Sequence, residues 1–209
     1  MNILITAGPT REHLDPIRFL SNRSTGKMGF AVAQAAAERG HTVTLIAGPV
    51  SLATPSGVTR IDVVSARDML AAVQTCLPKQ DALVMSAAVA DFRPAHMADA
   101  KLKKREMDPI IHLEPNPDIL KTILPLKGSR IFVGFAAETG DPLAEAHRKL
   151  ISKGLDMIVA NDVTAEGAGF AVDTNCVTFM TANEQPRPLP LQSKLEVGHA
   201  IIEWLEEHQ

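Results

Sequence analysis

Five short, nearly unbroken apolar runs recur along the chain, Asn2–Thr6, Thr42–Ala47, Ala82–Ser86, Arg130–Phe135 and Met157–Ala160, with helical patterns between them. A strand that is apolar on both faces must be covered on both, which is the condition of a parallel sheet inside an α/β domain. The alternation therefore predicts a Rossmann-like α/β fold, a three-layer α/β/α stack around a mainly parallel sheet. The predicted helices are Thr25–Arg39, with Ser24 as N-cap and Gly40 just past its end, and Ala66–Leu77, Pro117–Leu124, Pro142–Lys153 and Lys194–Glu206. With 209 residues and 45% apolar side chains, the chain can bury a sizeable core. Residues 1–209 read as a single domain, because no linker or repeat divides them.

Two stretches break the alternation. Phe92–Asp108 is polar, basic in its middle and without hydrophobic period, the pattern of a flap. Asp162–Asn175 carries Gly167 and Gly169, leads into a strand pattern at Cys176–Thr181, and is followed by a proline-rich turn at Pro186–Pro190. Residues from about 162 to 190 thus read as a small β arm off the main sheet, with edges suited to pairing two subunits.

Several function classes are excluded. With 24 acidic against 21 basic side chains, the formal charge of −3 gives no global positive field to hold a nucleic acid. Cys76 and Cys176 lie far apart without a CxxC spacing, so they read as reduced thiols rather than as a disulfide framework or zinc site. No apolar run approaches the roughly 18 residues of a membrane span, and the chain opens directly into a strand. The expectation is a cytoplasmic protein without a membrane partner. HExxH, triad-like and GxSxG patterns are absent, which removes support for zinc and serine hydrolases.

The polar residues that remain gather at predicted strand tips. Gly8 ends the first strand, where open α/β sheets seat their ligands. Ser24-Thr25-Gly26-Lys27-Met28-Gly29 then opens the first helix, presenting backbone N–H groups and a positive dipole end to a phosphate. The same glycines read alternatively as room for tight helix-on-strand packing. The dinucleotide fingerprint GxGxxG is missing, and Lys27 precedes Met28 where a P-loop needs Ser or Thr for magnesium.

Next, Ala87 and Ala88 leave room for a flat ligand, and Asp91 reads either as a ribose or base contact or as a helix or turn cap. Lys101-Leu102-Lys103-Lys104 is either a solvated loop or a cationic cover for a polyphosphate. Asn116-Pro117-Asp118-Ile119 opens a helix and Gly134–Thr139 ends a strand, both at the ligand edge. Phe135 reads as core or as a base-stacking ring. Lys149 and Lys153, four apart, form either a solvated stripe or a second phosphate contact.

AGPTRE at Ala7–Glu12, SNRSTGKMGF at Ser21–Phe30, SAAVADF at Ser86–Phe92, KLKK at Lys101–Lys104, NPDI at Asn116–Ile119, GFAAET at Gly134–Thr139 and AND at Ala160–Asp162 occur in one order. In order and spacing this set resembles the bacterial phosphopantothenoylcysteine synthetases, the ligases of coenzyme A biosynthesis, over nearly the whole chain. The resemblance implies a ligase that joins 4′-phosphopantothenate to L-cysteine through an acyl-cytidylate. CTP would be the co-substrate and Mg2+ would sit on its phosphates. It implies that Asn22 holds the acyl-cytidylate and that Lys101 is the flap lysine needed to form it.

By the same resemblance Asp91, Pro117, Asp118, Ile119, Leu120, Phe135, Lys149 and Lys153 serve CTP; Lys101, as the flap lysine, and Gly8, Ser24, Gly26 and Ala87, from their place at the strand tips, are assigned to the same ligand. Arg18, Asn22 and Ala88 serve the acyl substrate, and no protein side chain is assigned to the metal. A homodimer is implied, as is a flavin-dependent phosphopantothenoylcysteine decarboxylase domain as a partner. FMN is not expected in this chain. The alternatives are a nicotinamide-dependent oxidoreductase on the same fold, which lacks its glycine fingerprint here, and a non-catalytic nucleotide-binding module.

Overall fold

The computed structural model describes residues 1–105, 110–138, 142–162 and 172–209; at 137, 138, 142 and 162 only the backbone is described. β1 (Asn2–Ala7) is followed by a hairpin of β2 (Arg11–His13) and β3 (Phe19–Ser21), and then by α1 (Lys27–Glu38). β4 (Thr42–Ala47), β5 (Val58–Asp62), α2 (Ala66–Cys76) and β6 (Ala82–Met85) continue the parallel winding. A ribbon of β7 (Phe92–Pro94) and β8 (Leu113–Pro115) precedes α3 (Ile119–Ile123), β9 (Ile131–Glu138), α4 (Pro142–Ser152) and β10 (Met157–Asp162). The chain ends with β11 (Thr174–Asn175), β12 (Val177–Thr181), β13 (Arg187–Pro188), β14 (Gln192–Ser193) and α5 (Lys194–Glu207).

The eight-stranded sheet has the order β5-β4-β1-β6-β9-β10-β12-β13, parallel from β5 to β10 and antiparallel beyond. From β1 the chain first builds outward through β4 and β5, then returns to add β6, β9 and β10 on the other side. The seam between β1 and β6 is the reversal point beside which such sheets carry their ligand crevice. Strand alternation assigns the two faces. Ile3, Ile5 and Ala7 pack into one core with Phe30, Val32 and Ala33 of α1 and Val197, Ile201 and Trp204 of α5. Leu4 packs into the other with Met69 and Val73 of α2, Ile123 of α3 and Leu150 of α4. The α/β/α layering is as the apolar runs predict.

Several details differ from the sequence reading. Ser24 is not the N-cap of α1: Gly26 occupies that position at φ 79°, and Ser24 Oγ instead accepts from Gly26 N at 3.3 Å. A left-handed residue cannot continue a helix, so α1 starts only at Lys27. Likewise α3 starts at Ile119 rather than Pro117, because the Asp118 carboxylate caps it by accepting from Lys121 N. β5 has no counterpart among the predicted strands. As the sheet's parallel edge it is only partly covered, and its sequence VTRID lacks a continuous apolar run.

The described part of the arm is not a separate body, since β12 and β13 extend the main sheet across β10. Its outer strand is two residues long and contains Pro188, which withholds a donor from that edge. Residues 163–171 of the arm, residues 106–108 of the flap and Thr139 of the GFAAET segment lie outside the described residues. No helix among the described residues is long and apolar enough to cross a membrane.

Candidate active site

Two adjoining clefts open at the C-terminal ends of the parallel strands. The first, about 320 Å³, lies between the start of α1 and the segment after β6, and is lined by Ser24, Gly26, Ala87, Ala88, Asp91, Phe135 and Lys149 among others. The second, about 360 Å³, lies toward α3 and α4, with Pro117, Asp118, Ile119, Leu120 and Lys153 in its wall. Both are of a size that accepts small ligands. Ala87, Val89, Asp91, Phe135 and Lys149 belong to both linings, so the clefts lie side by side across a common wall.

Glycines set the first cleft's floor. A Cβ at Gly29 would stand 2.5 Å from Ala7 Cβ and 3.0 Å from Thr6 O, so α1 lies directly on β1 only because that side chain is missing. Gly29 thus follows the packing reading. Gly26 does something else, because its left-handed turn ends the approach to α1 without any side-chain cap. The first turn of a helix with no side-chain cap faces the cleft, a favourable place for an anionic group. Gly8, also at φ 79°, is packed beneath Gly26 and is not among the cleft-lining residues.

Hydrogen bonds fix the opposite wall. Thr6 Oγ1 accepts from Ala87 N at 3.2 Å, Thr10 Oγ1 accepts from Ala90 N at 3.0 Å, and Ala88 N donates to Gly8 O at 2.9 Å. Asn22 Nδ2 donates to Ala88 O at 3.0 Å and Val89 O at 3.3 Å, so Asn22 spans the rim from β3 to the Ala87–Asp91 segment. Asp91 caps no helix among the described residues; it stands on the wall common to both clefts.

Cations surround the clefts. Lys149 lies within ion-pair range of Glu145 at 3.8 Å and reaches both clefts. Lys153 pairs with Asp118 at the edge of the second. Burial pushes the Asp118 carboxyl up, but the Lys153 ammonium and the Lys121 N–H outweigh it and hold the group below the usual carboxylate range. Both lysines therefore border ligand-sized space while each lies beside a carboxylate.

The sequence reading assigned no site role to three lining residues. Asn161 on β10, Asn175 on β11 and Lys194 at the start of α5 close the far end of the first cleft. Both asparagines are nearly fully buried, at 8% and 1% exposure, and among the described residues neither Oδ1 has a hydrogen-bond partner. A buried acceptor costs stability unless something supplies a donor, and both residues line the cleft, from which a ligand could supply one. Burial and the Lys27 ammonium together push Lys194 below the ordinary lysine value. Asn161 lies in the AND segment, a usable signal; Asn175 and Lys194 carried none, because the separate two-stranded pairing of β11 with β14 brings them together here.

Arg18, Asn22 and Lys101 do not line either cleft. Lys101 is exposed, and the flap beside it rests on the β2–β3 hairpin. Ala98 N donates to Leu14 O at 3.0 Å, while Leu102 is held on both sides, its N–H by Asp15 at 3.2 Å and its carbonyl by Arg18 at 2.8 Å.

Against known proteins, the sequence matches the family described as the DNA/pantothenate metabolism flavoprotein C-terminal domain over residues 1–208. It is 49% identical over 203 residues to the coenzyme A biosynthesis bifunctional protein CoaBC of Bacillus subtilis, covering 97% of this chain and 50% of that protein. The chain spans about half the length of the curated relatives it matches. Its structure superposes on the crystal structure of the C-terminal domain of CoaBC with a TM-score of 0.85 at 41% identity, over 99% of this chain and 94% of the other. A mutant of Cab2 in complex with phosphopantothenate-cysteine shares the fold at a TM-score of 0.79 and 18% identity, over 99% and 85% of the respective chains.

Proposed function

The chain belongs to the DNA/pantothenate metabolism flavoprotein C-terminal domain family, and from that membership we propose that it is a phosphopantothenate–cysteine ligase of coenzyme A biosynthesis using CTP. The observation that carries the reading is the pair of adjoining clefts at the sheet's reversal point. They are walled by the uncapped start of α1, by Asp91 and by Lys149 and Lys153. One cleft is suited to a phosphate chain and the other offers the largely apolar wall of Ile119, Leu120 and Leu155.

In this reading a carboxylate oxygen of 4′-phosphopantothenate attacks the α-phosphorus of CTP, and the bond to the β-phosphate oxygen breaks so that pyrophosphate leaves. The amine of L-cysteine then attacks the acyl carbon, CMP departs with the bonding electrons, and the amine proton passes to solvent. Asn22, braced across the rim, orients the mixed anhydride without attacking it. Lys101 offsets charge that builds on the phosphates during the first step. Among the described residues no cluster of His, Cys, Asp or Glu could hold a metal. The donor set would suit magnesium carried on phosphate oxygens, the usual mode for this ion, where it would supply charge neutralisation at the phosphates. A homodimer, and a decarboxylase domain in the remaining half of a bifunctional protein, complete the proposal.

The deciding experiment is pyrophosphate release from CTP with magnesium, in the presence and absence of 4′-phosphopantothenate. Release that depends on the acid, and that is faster with CTP than with ATP, is the expected result. No release from pure protein ends the ligase reading. Asn22→Asp is expected to form the acyl-cytidylate but stall after it, whereas Lys101→Gln blocks its formation. Parent-like turnover in both variants would remove those two roles.

A further inference from the structure

Asp15 lies in the turn between β2 and β3, is fully buried, and touches neither cleft. Its carboxylate is nonetheless saturated. Oδ1 accepts from Ile17 N and Arg18 N, both at 2.8 Å. Oδ2 accepts from Arg18 Nε at 2.9 Å, from an Arg18 terminal nitrogen at 2.5 Å, and from Leu102 N at 3.2 Å. Arg18 returns to the same residue of the flap by donating to Leu102 O. One flap residue is therefore held by both its N–H and its carbonyl, and it is the neighbour of Lys101. Burial alone would push the Asp15 carboxyl up, but the Arg18 guanidinium and three backbone N–H groups hold it far below the usual carboxylate range.

We propose that Asp15 is a positioning residue: it holds Arg18 and Leu102 together so that Lys101 is presented from a docked flap. The proposal rests on the ligase reading for the role of Lys101, while the docking itself stands on geometry. A buried carboxylate with five donors is a rigid node, and a flap tied through backbone atoms is held whatever its side chains do. Asp15 makes no contact with ligand-sized space, so its loss should act on the flap and not on nucleotide binding.

The test pairs a local readout with a kinetic one, using Asp15→Ala and Asp15→Asn. The asparagine keeps one oxygen for the turn N–H groups while removing the charge that holds Arg18 and Leu102, which guards against a variant that only fails to fold. Amide hydrogen exchange across residues 98–105 should speed up about tenfold or more in both variants, with exchange in β1 and β6 unchanged. The rate of pyrophosphate release should fall by about ten- to a hundredfold, with the KM for CTP within about twofold of the parent. Attack of cysteine on preformed acyl-cytidylate should stay near the parent rate.

Unchanged exchange at 98–105 in a folded variant overturns the proposal. So does an equal fall in both half-reactions. If the parent itself releases no pyrophosphate, the ligase reading fails, and the exchange comparison still decides whether Asp15 docks the flap.

Discussion

At the strand tips, the residues that face the clefts stand on backbone fixed by parallel pairing and by contacts too close for a side chain, as at Gly29 over Ala7. The 92–105 segment is held differently, by the short β7–β8 ribbon and by a few polar contacts to Leu14, Asp15 and Arg18. The first region is preorganised by packing and should resist any change of ligand or pH. The second is fastened at discrete points, so its chemistry can be removed while the pocket stays intact.

The largest separation of the two regions is expected from Lys101→Gln. Pyrophosphate release should drop by at least about a hundredfold, an effect of about 3 kcal/mol on the transition state, with thermal stability unchanged. A parallel loss of Tm would collapse the distinction between flap and pocket. Gly29→Ala probes the opposite side. The added methyl meets Ala7 and Thr6, so thermal or denaturant unfolding should show a loss of about 1–3 kcal/mol, and α1 should shift enough to weaken nucleotide binding.

Phe135→Leu sharpens the comparison further, because that ring belongs to both clefts. A calorimetric titration should show nucleotide affinity reduced by about three- to tenfold if the ring stacks on a base, and no change if it is only core. The smallest effect should come from a site remote from both regions. Glu206 pairs with Arg39 and His41 where the ends of α1 and α5 meet, and the Arg39 guanidinium first, then His41, lowers its carboxyl to about 2 from an ordinary 4.5. A depressed carboxyl stabilises above its unfolded value and loses that contribution as pH falls through the folded one. Glu206→Gln should therefore lower Tm by no more than about 2 °C at neutral pH, with the gap closing between pH 4.5 and 2.

Elements whose reason for existing is burial were legible in the sequence. Asn2–Thr6 and Thr42–Ala47 had to be central strands because nothing else hides such runs, and the helical patterns at Ala66–Leu77 and Lys194–Glu206 correspond to α2 and α5. Elements stabilised by position were not. β5 is an edge strand of mixed composition, and the β2–β3 hairpin hides in what reads as a loop. For the site, glycine and small-residue turns at strand tips pointed to the edge where the clefts open, whereas Asn22 drew meaning only from family resemblance and Lys101 stood in a basic run that reads equally as a solvated loop. Asn175 and Lys194 were invisible because their place depends on the pairing of β11 with β14, a long-range contact with no local signature.

The order of the central strands has an energetic corollary. Material bound at the join between β1 and β6 touches chain from Ser24 to Lys194, segments laid down in the outward and the return halves of the winding. Such a guest acts as a clamp across the molecule's midline, so its free energy of association is shared by helices that never touch it. Saturating nucleotide should then raise the melting point of the whole domain as a single cooperative unit, by mass action on the native state.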